Sequence, residues 1–287
     1  MQILYRTGME KKRTKPGFFS QSPSKKVYVV SNMVVLWNDH QTTMMEREMD
    51  WDLLWKGLAA GDRNGGPVRL ATLLYQSLED NFSEQKTFTS YADWIKNGGF
   101  DTGPTLFRVV QNHQQGMSIS DAVYTHHQMS NGTAGIGPAH RSAGFLCVAK
   151  EDELVGLAMR EAKLTHWDSI AGQASAASLL ISLYLHEGRD FAAIADSINH
   201  RFPVLEFESQ ELSRGGYAPA VLRAAWHFLM QSTSFFDALE ESLVYAGSSN
   251  YCPVLVGLWA ACLYKDVPDI CLAHAICPQD SQSIAVC

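Results

Sequence analysis

The sequence lacks most of the features that assign a function at sight. No Cys-x-x-Cys pair occurs, and the six cysteines (Cys147, Cys252, Cys262, Cys271, Cys277 and Cys287) are too sparse over 287 residues to form a disulfide-stapled scaffold. Several sit in apolar runs and read as buried, reduced thiols. The ten histidines include no His-Glu-x-x-His pair, and His126 and His127 are adjacent, so they cannot share a helix face. No apolar run reaches the roughly 20 residues that a bilayer core requires. The best candidate, Tyr251–Tyr264, also contains Pro253, placed where a first helical turn tolerates it. An excess of basic charge is absent too: the formal net charge is −7, which argues against non-specific nucleic-acid binding. No repeat of about 30–45 residues is visible, so a solenoid is not expected. A membrane or nucleic-acid partner is therefore not expected.

What is present is apolar material. Hydrophobic residues make up 46% of the chain and charged residues only 18%, enough for a sizeable core in one large domain or two small ones. Residues 1–26 stand apart, with basic residues outnumbering acids seven to one among Ser, Pro and Gly. They read as a disordered tail, which leaves the protein cytoplasmic, or as a basic, acid-poor organelle-targeting segment. Residues 27–37 (VYVVSNMVVLW) are β-branched and read as an isolated strand with no partner later in the chain.

From Asp50 onward the pattern is helical. Leu154, Val155, Ala158, Met159 and Ala162 share one face, as do Val221, Leu222, Ala225, Phe228 and Leu229. Ser118 with Asp121 and Ser234 with Asp237 have capping-box spacing, with Asp in place of Glu. Asn97-Gly98, Gly188 and Gly247 stand where helices end. Residues 167–187, rich in Ala and Ser, predict a central helix packed closely on its neighbours. About ten helices with short links and no sheet are expected, an all-α bundle. The boundaries predicted are a basic tail over 1–45, a helical domain over 46–266 and a C-terminal tail over 267–287.

Small, polar residues interrupt this pattern at helix ends. They fall at Gly57–Pro67, Gly99–Thr105, Ser130–Pro138 and Ala246–Tyr251, with Leu164-Thr165-His166-Trp167-Asp168 between the last two. Taken singly, each has an ordinary reading as a cap or turn: Asp101 as an N-cap, His166 and Asp168 as a capped helix start. The third is the hardest to dismiss. Three glycines, Asn131 and Thr133 ahead of a helix offer free backbone N–H groups that suit a phosphate.

In this order, from about Asp52 to Lys265, the segments resemble the ADP-ribosylglycohydrolase family. Gly57–Gly65 is similar to the family's first helix and its GDxxG-type turn. Trp94 with Phe100-Asp101-Thr102-Gly103 is similar to its W…fDiG segment. Ser130-Asn131-Gly132 is similar to the Gly/Asn loop that receives the diphosphate, and Thr165-His166-Trp167-Asp168 to THxD. Ala246–Tyr251 followed by Val254–Ala260 is similar to the GGDTDT turn and the helix after it. The resemblance implies an all-α fold that hydrolyses the N- or O-glycosidic bond joining ADP-ribose to a protein side chain, with two magnesium or manganese ions. It implies ADP-ribose or an ADP-ribosylated protein as the partner. By the same resemblance Asp101 is the candidate catalytic carboxylate, and Asn131, Gly132, Thr133, Gly135 and His166 are candidate ligand-binding residues. Asp62 is read as structural, and Arg141 as either a phosphate contact or a solvated surface residue.

The departures concern the metal. Gly66-Pro67 stand where the resemblance places a Thr-Asp-Asp-Thr run, and Ser248-x-Asn250-Tyr251 where it places Asp-x-Asp-Thr. Magnesium wants near-octahedral oxygen ligands that include neutralising carboxylates, and two ions need them more than one. No metal ligands and no cofactor are therefore expected, and Ser248, Asn250 and Tyr251 mark the degenerate positions. Three readings stay open: a hydrolase working without magnesium, an ADP-ribose-binding module without chemistry, and a crystallin-like structural homologue.

Overall fold

The computed structural model describes residues 26–30, 33–37 and 49–273, apart from 64, 80 and 210. The predicted tail and targeting readings of residues 1–25, and most of the predicted C-terminal tail, lie outside the described residues. Contacts divide the chain into two units between residues 48 and 49. In the first, β1 (Lys26–Val30) pairs antiparallel with β2 (Met33–Trp37), Lys26 opposite Trp37 and Val30 opposite Met33. The β-branched stretch is therefore not one isolated strand. It folds back on itself and supplies its own partner.

The second unit is helical. It runs through α1 (Trp51–Gly61), α2 (Gly66–Ser77), α3 (Glu84–Lys96), α4 (Pro104–Gln114) and α5 (Ile119–Ser130). The short α6 (Gly137–Arg141) passes into a 3-10 turn, Ser142–Cys147. There follow α7 (Glu151–Ala162), α8 (Ser169–His186), α9 (Phe191–Arg201), α10 (Ala218–Gln231), α11 (Phe235–Ala246), α12 (Tyr251–Tyr264) and α13 (Asp269–Leu272). α13 lies inside the segment read as a tail. This unit is all-α.

Local chemistry sets the helix ends. The hydroxyls of Ser118 and Ser234 accept from the backbone N–H of Asp121 and Asp237 at 3.1 Å each, the caps that the sequence spacing predicts. Asp168 caps α8 through the N–H of Ile170 at 2.9 Å. Asp101 caps nothing: Gly103 precedes α4 instead.

Two helices form the centre because they are apolar all round. Every residue of α8 from Ala174 to Leu185 is buried, and so is every residue of α12 from Cys252 to Cys262. The two are joined inside the core by the Trp259 indole, which donates to Ser178 Oγ at 3.2 Å. α1 crosses α12 at backbone contact. A Cβ at Gly57 would stand 2.6 Å from the Gly257 carbonyl oxygen, and one at Gly61 would strike the Pro253 carbonyl. These glycines are there for the crossing, which brings the C-terminal end of α1 against the first turn of α12. The turn after α1 and the turn into α12 meet at that point.

Candidate functional site

A cleft of about 390 Å³ opens where the interrupting loops converge. Its lining comes from the start of α2 (Pro67), the loop into α4 (Asp101–Thr105), the loop into α6 (Gly135–Gly137), His166, Gly216 and the turn into α12 (Ser248–Tyr251). Two helices of eleven residues or more, α4 and α12, begin at this space, and α2 begins beside it with its first N–H groups already given to carboxylates. The first N–H groups of a helix have no intrahelical acceptor and carry the positive end of its dipole, so their convergence favours an anion. Pro67 and Pro104 occupy first-turn positions, where a missing N–H costs nothing.

One carboxylate, Asp101, lines this cleft, and a second, Asp62, is buried behind it. Asp62, buried at 1% exposure, follows α1 and caps α2. Its Oδ1 accepts from Gly65 N–H at 2.9 Å and its Oδ2 from Val68 N–H at 2.8 Å. Asp101 comes from the loop before α4, with a left-handed backbone at φ 47°. Gly66 lies flat against the backbone of Asp101, and any Cβ there would collide with the Asp101 carbonyl. The Asn250 amide joins the two acids. Its Nδ2 donates to Asp62 Oδ1 at 2.8 Å and to Asp101 Oδ2 at 2.9 Å. Only the NH2 end of that amide can face two carboxylate oxygens, because its carbonyl end would repel both. The carboxyl of Asp101 is partly desolvated, and this raises its pKa above the ordinary 3.8. The Asn250 bond opposes the shift and the Asp62 charge adds to it.

The opposite side is a braced loop. Gly135 bridges to Tyr217: Ile136 N–H donates to the Gly216 carbonyl at 3.0 Å and Ala218 N–H to the Ala134 carbonyl at 2.9 Å. The Thr133 hydroxyl accepts from the N–H groups of Trp167 and Asp168 at 3.0 and 3.1 Å and lies 3.0 Å from His127 Nδ1. It ties the loop to the start of α8. The His166 ring packs under the loop, with its Nε2 3.1 Å from where a Gly135 Cβ would be. A side chain at Gly135 would displace either the imidazole or the bridge.

Burial holds both cleft histidines neutral. His140 donates through Nε2 to the Tyr251 carbonyl at 2.8 Å, with a pKa lowered to about 4. His166, 2.7 Å from the Thr165 hydroxyl through Nδ1, is pushed well below the usual range by burial and then by the Arg141 charge.

Arg141 is not on the surface. At 1% exposure it donates through Nε to Glu161 Oε1 at 2.6 Å and through Nη2 to Thr165 Oγ1 at 2.7 Å. The Tyr91 hydroxyl donates to the same Glu161 oxygen at 3.0 Å. The Arg141 Nη1 lies beside Gly137, 3.5 Å from where a Cβ would be, so the charge stands directly behind the cleft wall. The solvated alternative for this residue is corrected: its charge needs Glu161 because it is buried.

Of the residues singled out from the sequence, Asp101, Gly135, His166, Ser248, Asn250 and Tyr251 all line the cleft. Asn131, Gly132 and Thr133 do not. Asn131 ends α5 in a left-handed conformation at φ 56°, Gly132 N–H closes that helix on the His127 carbonyl at 3.3 Å, and Thr133 is the strut described above. Sequence reasoning passed over His140 and Gly216. The signal for Gly216 was Arg214-Gly215-Gly216-Tyr217-Ala218-Pro219, a glycine pair immediately before a helix start. Among the described residues no group of three His, Cys, Asp or Glu side chains is arranged to hold a metal ion. None of their helices is long and apolar enough to cross a membrane.

Known proteins supply the comparison. Forty-one chains of solved structures match this one. One, an "ADP-ribosylglycohydrolase-related protein complex", is 19% identical with a TM-score of 0.59, over 73% of this chain and 85% of that chain. At that identity the likeness is one of fold. No curated protein matches. The family model for ADP-ribosylglycohydrolase matches residues 54–287, which takes in every loop that lines the cleft. The chain belongs to the ADP-ribosylglycohydrolase family.

Proposed function

We propose that the cleft receives an ADP-ribosyl group and that the chain hydrolyses its N- or O-glycosidic bond without a dinuclear magnesium centre. Family membership supports a related glycohydrolase function. The observation that carries the fuller reading is the polarity of the cleft: the N-termini of α4 and α12 and the Arg141 charge around it, and the Asp101 carboxylate within it. The N-termini and the Gly135–Gly137 backbone suit a diphosphate. Asp101 suits the anomeric carbon, where a carboxylate either takes a proton from the attacking water or stabilises the oxocarbenium-like transition state. As water adds, the bond to the leaving nitrogen or oxygen breaks. The Asp101 carboxylate accepts the water proton, and the leaving atom is protonated from solvent.

The donor set does not fit the two magnesium ions that the resemblance implies. Ser248 and Asn250 are neutral, and the Asn250 N–H hydrogens point into the gap between Asp62 and Asp101, where a cation would meet them head-on. That arrangement favours a second reading, retention of the ADP-ribosyl group without turnover, because one Asp101 oxygen is already engaged.

Calorimetric titration with ADP-ribose, first with magnesium and then with EDTA, tests the proposal. The expected result is binding of equal affinity in both. Binding that disappears in EDTA would refute the metal-free reading, and no binding in either would refute the cleft assignment. Turnover of an ADP-ribosylated protein in EDTA separates hydrolysis from retention.

A further inference from the structure

We infer that the Asn250 amide does in this chain the work of a cation, and that Asn250→Asp alone turns the cleft floor into a divalent-cation site. This rests on the metal-free reading above and deepens it. Two facing carboxylates, one of them buried, repel each other unless something between them carries positive charge or donates protons. Asp62 is 1% exposed and belongs to the fold, since it caps α2 through Gly65 and Val68. It cannot be lost cheaply. Asp101 is brought against it by the close approach of Gly66. The Asn250 NH2 group has two hydrogens, and each finds one acid, at 2.8 and 2.9 Å. Both acids are thereby satisfied with no ion.

The amide also fixes Asp101 in place. The Asp101 carboxylate is held by Asn250 through Oδ2 and by the Gly66 N–H, and it still lines the cleft. The tie spans a large sequence separation, 188 residues to Asp62 and 149 to Asp101. It therefore pins three separate segments, the turns into α2, α4 and α12, to one another. Asn250 is a positioning residue in this scheme, acting through Asp101.

Asn250 itself is 5% exposed. Replacing it by Asp puts an oxygen where the nitrogen was, within reach of two other carboxylates. Three converging carboxylates are the kind of donor set a hard divalent cation takes, and without the cation they destabilise one another. The test is thermal melting of the native chain, Asn250→Asp and Asn250→Asp/Asp101→Asn, each in EDTA and with Mn2+ and no nucleotide. The native melting temperature should not respond to Mn2+. The Asn250→Asp variant should melt lower in EDTA and recover with Mn2+, and the double variant should lose the recovery. If Asn250→Asp does not fold in EDTA, folding on addition of Mn2+ is the same result.

A native chain stabilised by Mn2+, or an Asn250→Asp variant indifferent to it, would overturn the inference. A second measurement follows the side chain directly: the Asn250 NH2 protons should be resolved and slow to exchange by NMR, and should shift on Asp101→Asn. Free exchange would also overturn it. None of these readouts needs ADP-ribose, so they stand apart from the titration that tests the proposed function.

Discussion

Replacing Glu161 by Leu removes the counter-charge of Arg141 and leaves a guanidinium inside the protein. Both side chains are at most 1% exposed, and the 2.6 Å Nε–Oε1 bond is the only ion pair Arg141 makes among the described residues. Thr165 Oγ1 would remain as one neutral acceptor, and Tyr91 would lose the acceptor of its hydroxyl. Stranding one partner of a buried pair costs about 3–5 kcal/mol. That is a large fraction of the roughly 5–15 kcal/mol that holds a domain folded. For a body of this size about 2–4 °C is lost per kcal/mol, so the melting temperature should fall by roughly 6–20 °C. The control is Glu161→Leu with Arg141→Met. With both charges gone and the volume kept, most of the loss should be recovered, because an apolar replacement of a buried pair is often neutral. Urea denaturation of the native chain, both single variants and the double closes the cycle. A Glu161→Leu loss under about 1 kcal/mol, or a double variant as unstable as the two losses summed, would refute the claim that this charge is buried and paired. The cycle also has a functional reading. Arg141 stands behind Gly137, so the double variant should fold and yet bind ADP-ribose more weakly, by about tenfold if one desolvated charge is lost from the anion field.

Asp101→Asn should abolish any glycohydrolase turnover while leaving the melting temperature within a few degrees, because the residue is exposed and caps no helix; an unchanged rate would remove Asp101 from the chemistry. Gly135→Val should weaken ADP-ribose binding at least about tenfold by displacing His166 or the Tyr217 bridge, whereas Gly132→Val, at a position with open space around it and outside the cleft, should cost stability through its φ of 132° and little affinity. Stability should fall as pH drops below 6.5 toward 4. In the unfolded chain His140 takes up a proton near 6.5, while in the fold burial delays protonation to about 4, so stability present above 6.5 is lost through that window, at most about 3 kcal/mol from His140, with buried His166 adding in the same direction. Urea midpoints at successive pH values measure the slope. His140→Gln should flatten it, and an identical slope would show that His140 is not the group responsible.

The helices were legible because their signals are local. A capping hydroxyl and the N–H it accepts from are three residues apart, as at Ser118 and Ser234, and the apolar runs of α8 and α10 name their own burial. The hairpin was not legible as one, because β-branched residues run on both sides of Ser31-Asn32, a pair that carries no glycine. The site was legible only as a set of loops. Thr133 meets its partners 34 and 35 residues on, Arg141 meets Glu161 20 residues on, and Asn250 meets Asp62 across 188. No spacing rule reaches such pairs, since the fold decides them. Chemistry alone could have raised the question for Arg141, because an arginine following Gly-Pro-Ala-His in an otherwise apolar stretch has little water to reach.

The arrangement of charge narrows what the cleft can accept. A simple anion would be drawn by the N-termini of α4 and α12 and repelled by Asp101, with the buried Asp62 behind it; a simple cation would feel the reverse. A ligand gains from both sides only if it is negative where the helix ends meet it and neutral or becoming positive where the carboxylates do. An ADP-ribosyl group under hydrolysis has that polarity, with its charge on the diphosphate and an oxocarbenium-like carbon forming some atoms away. A bound product has half of it, since free ADP-ribose keeps the diphosphate and develops no positive carbon. The carboxylate side of the cleft is therefore worth more to the reacting bond than to the resting ligand. It follows that Asp101→Asn should lower turnover far more than it lowers affinity for ADP-ribose, whereas a protein that only retains the ligand would show the two falling together, or neither falling at all.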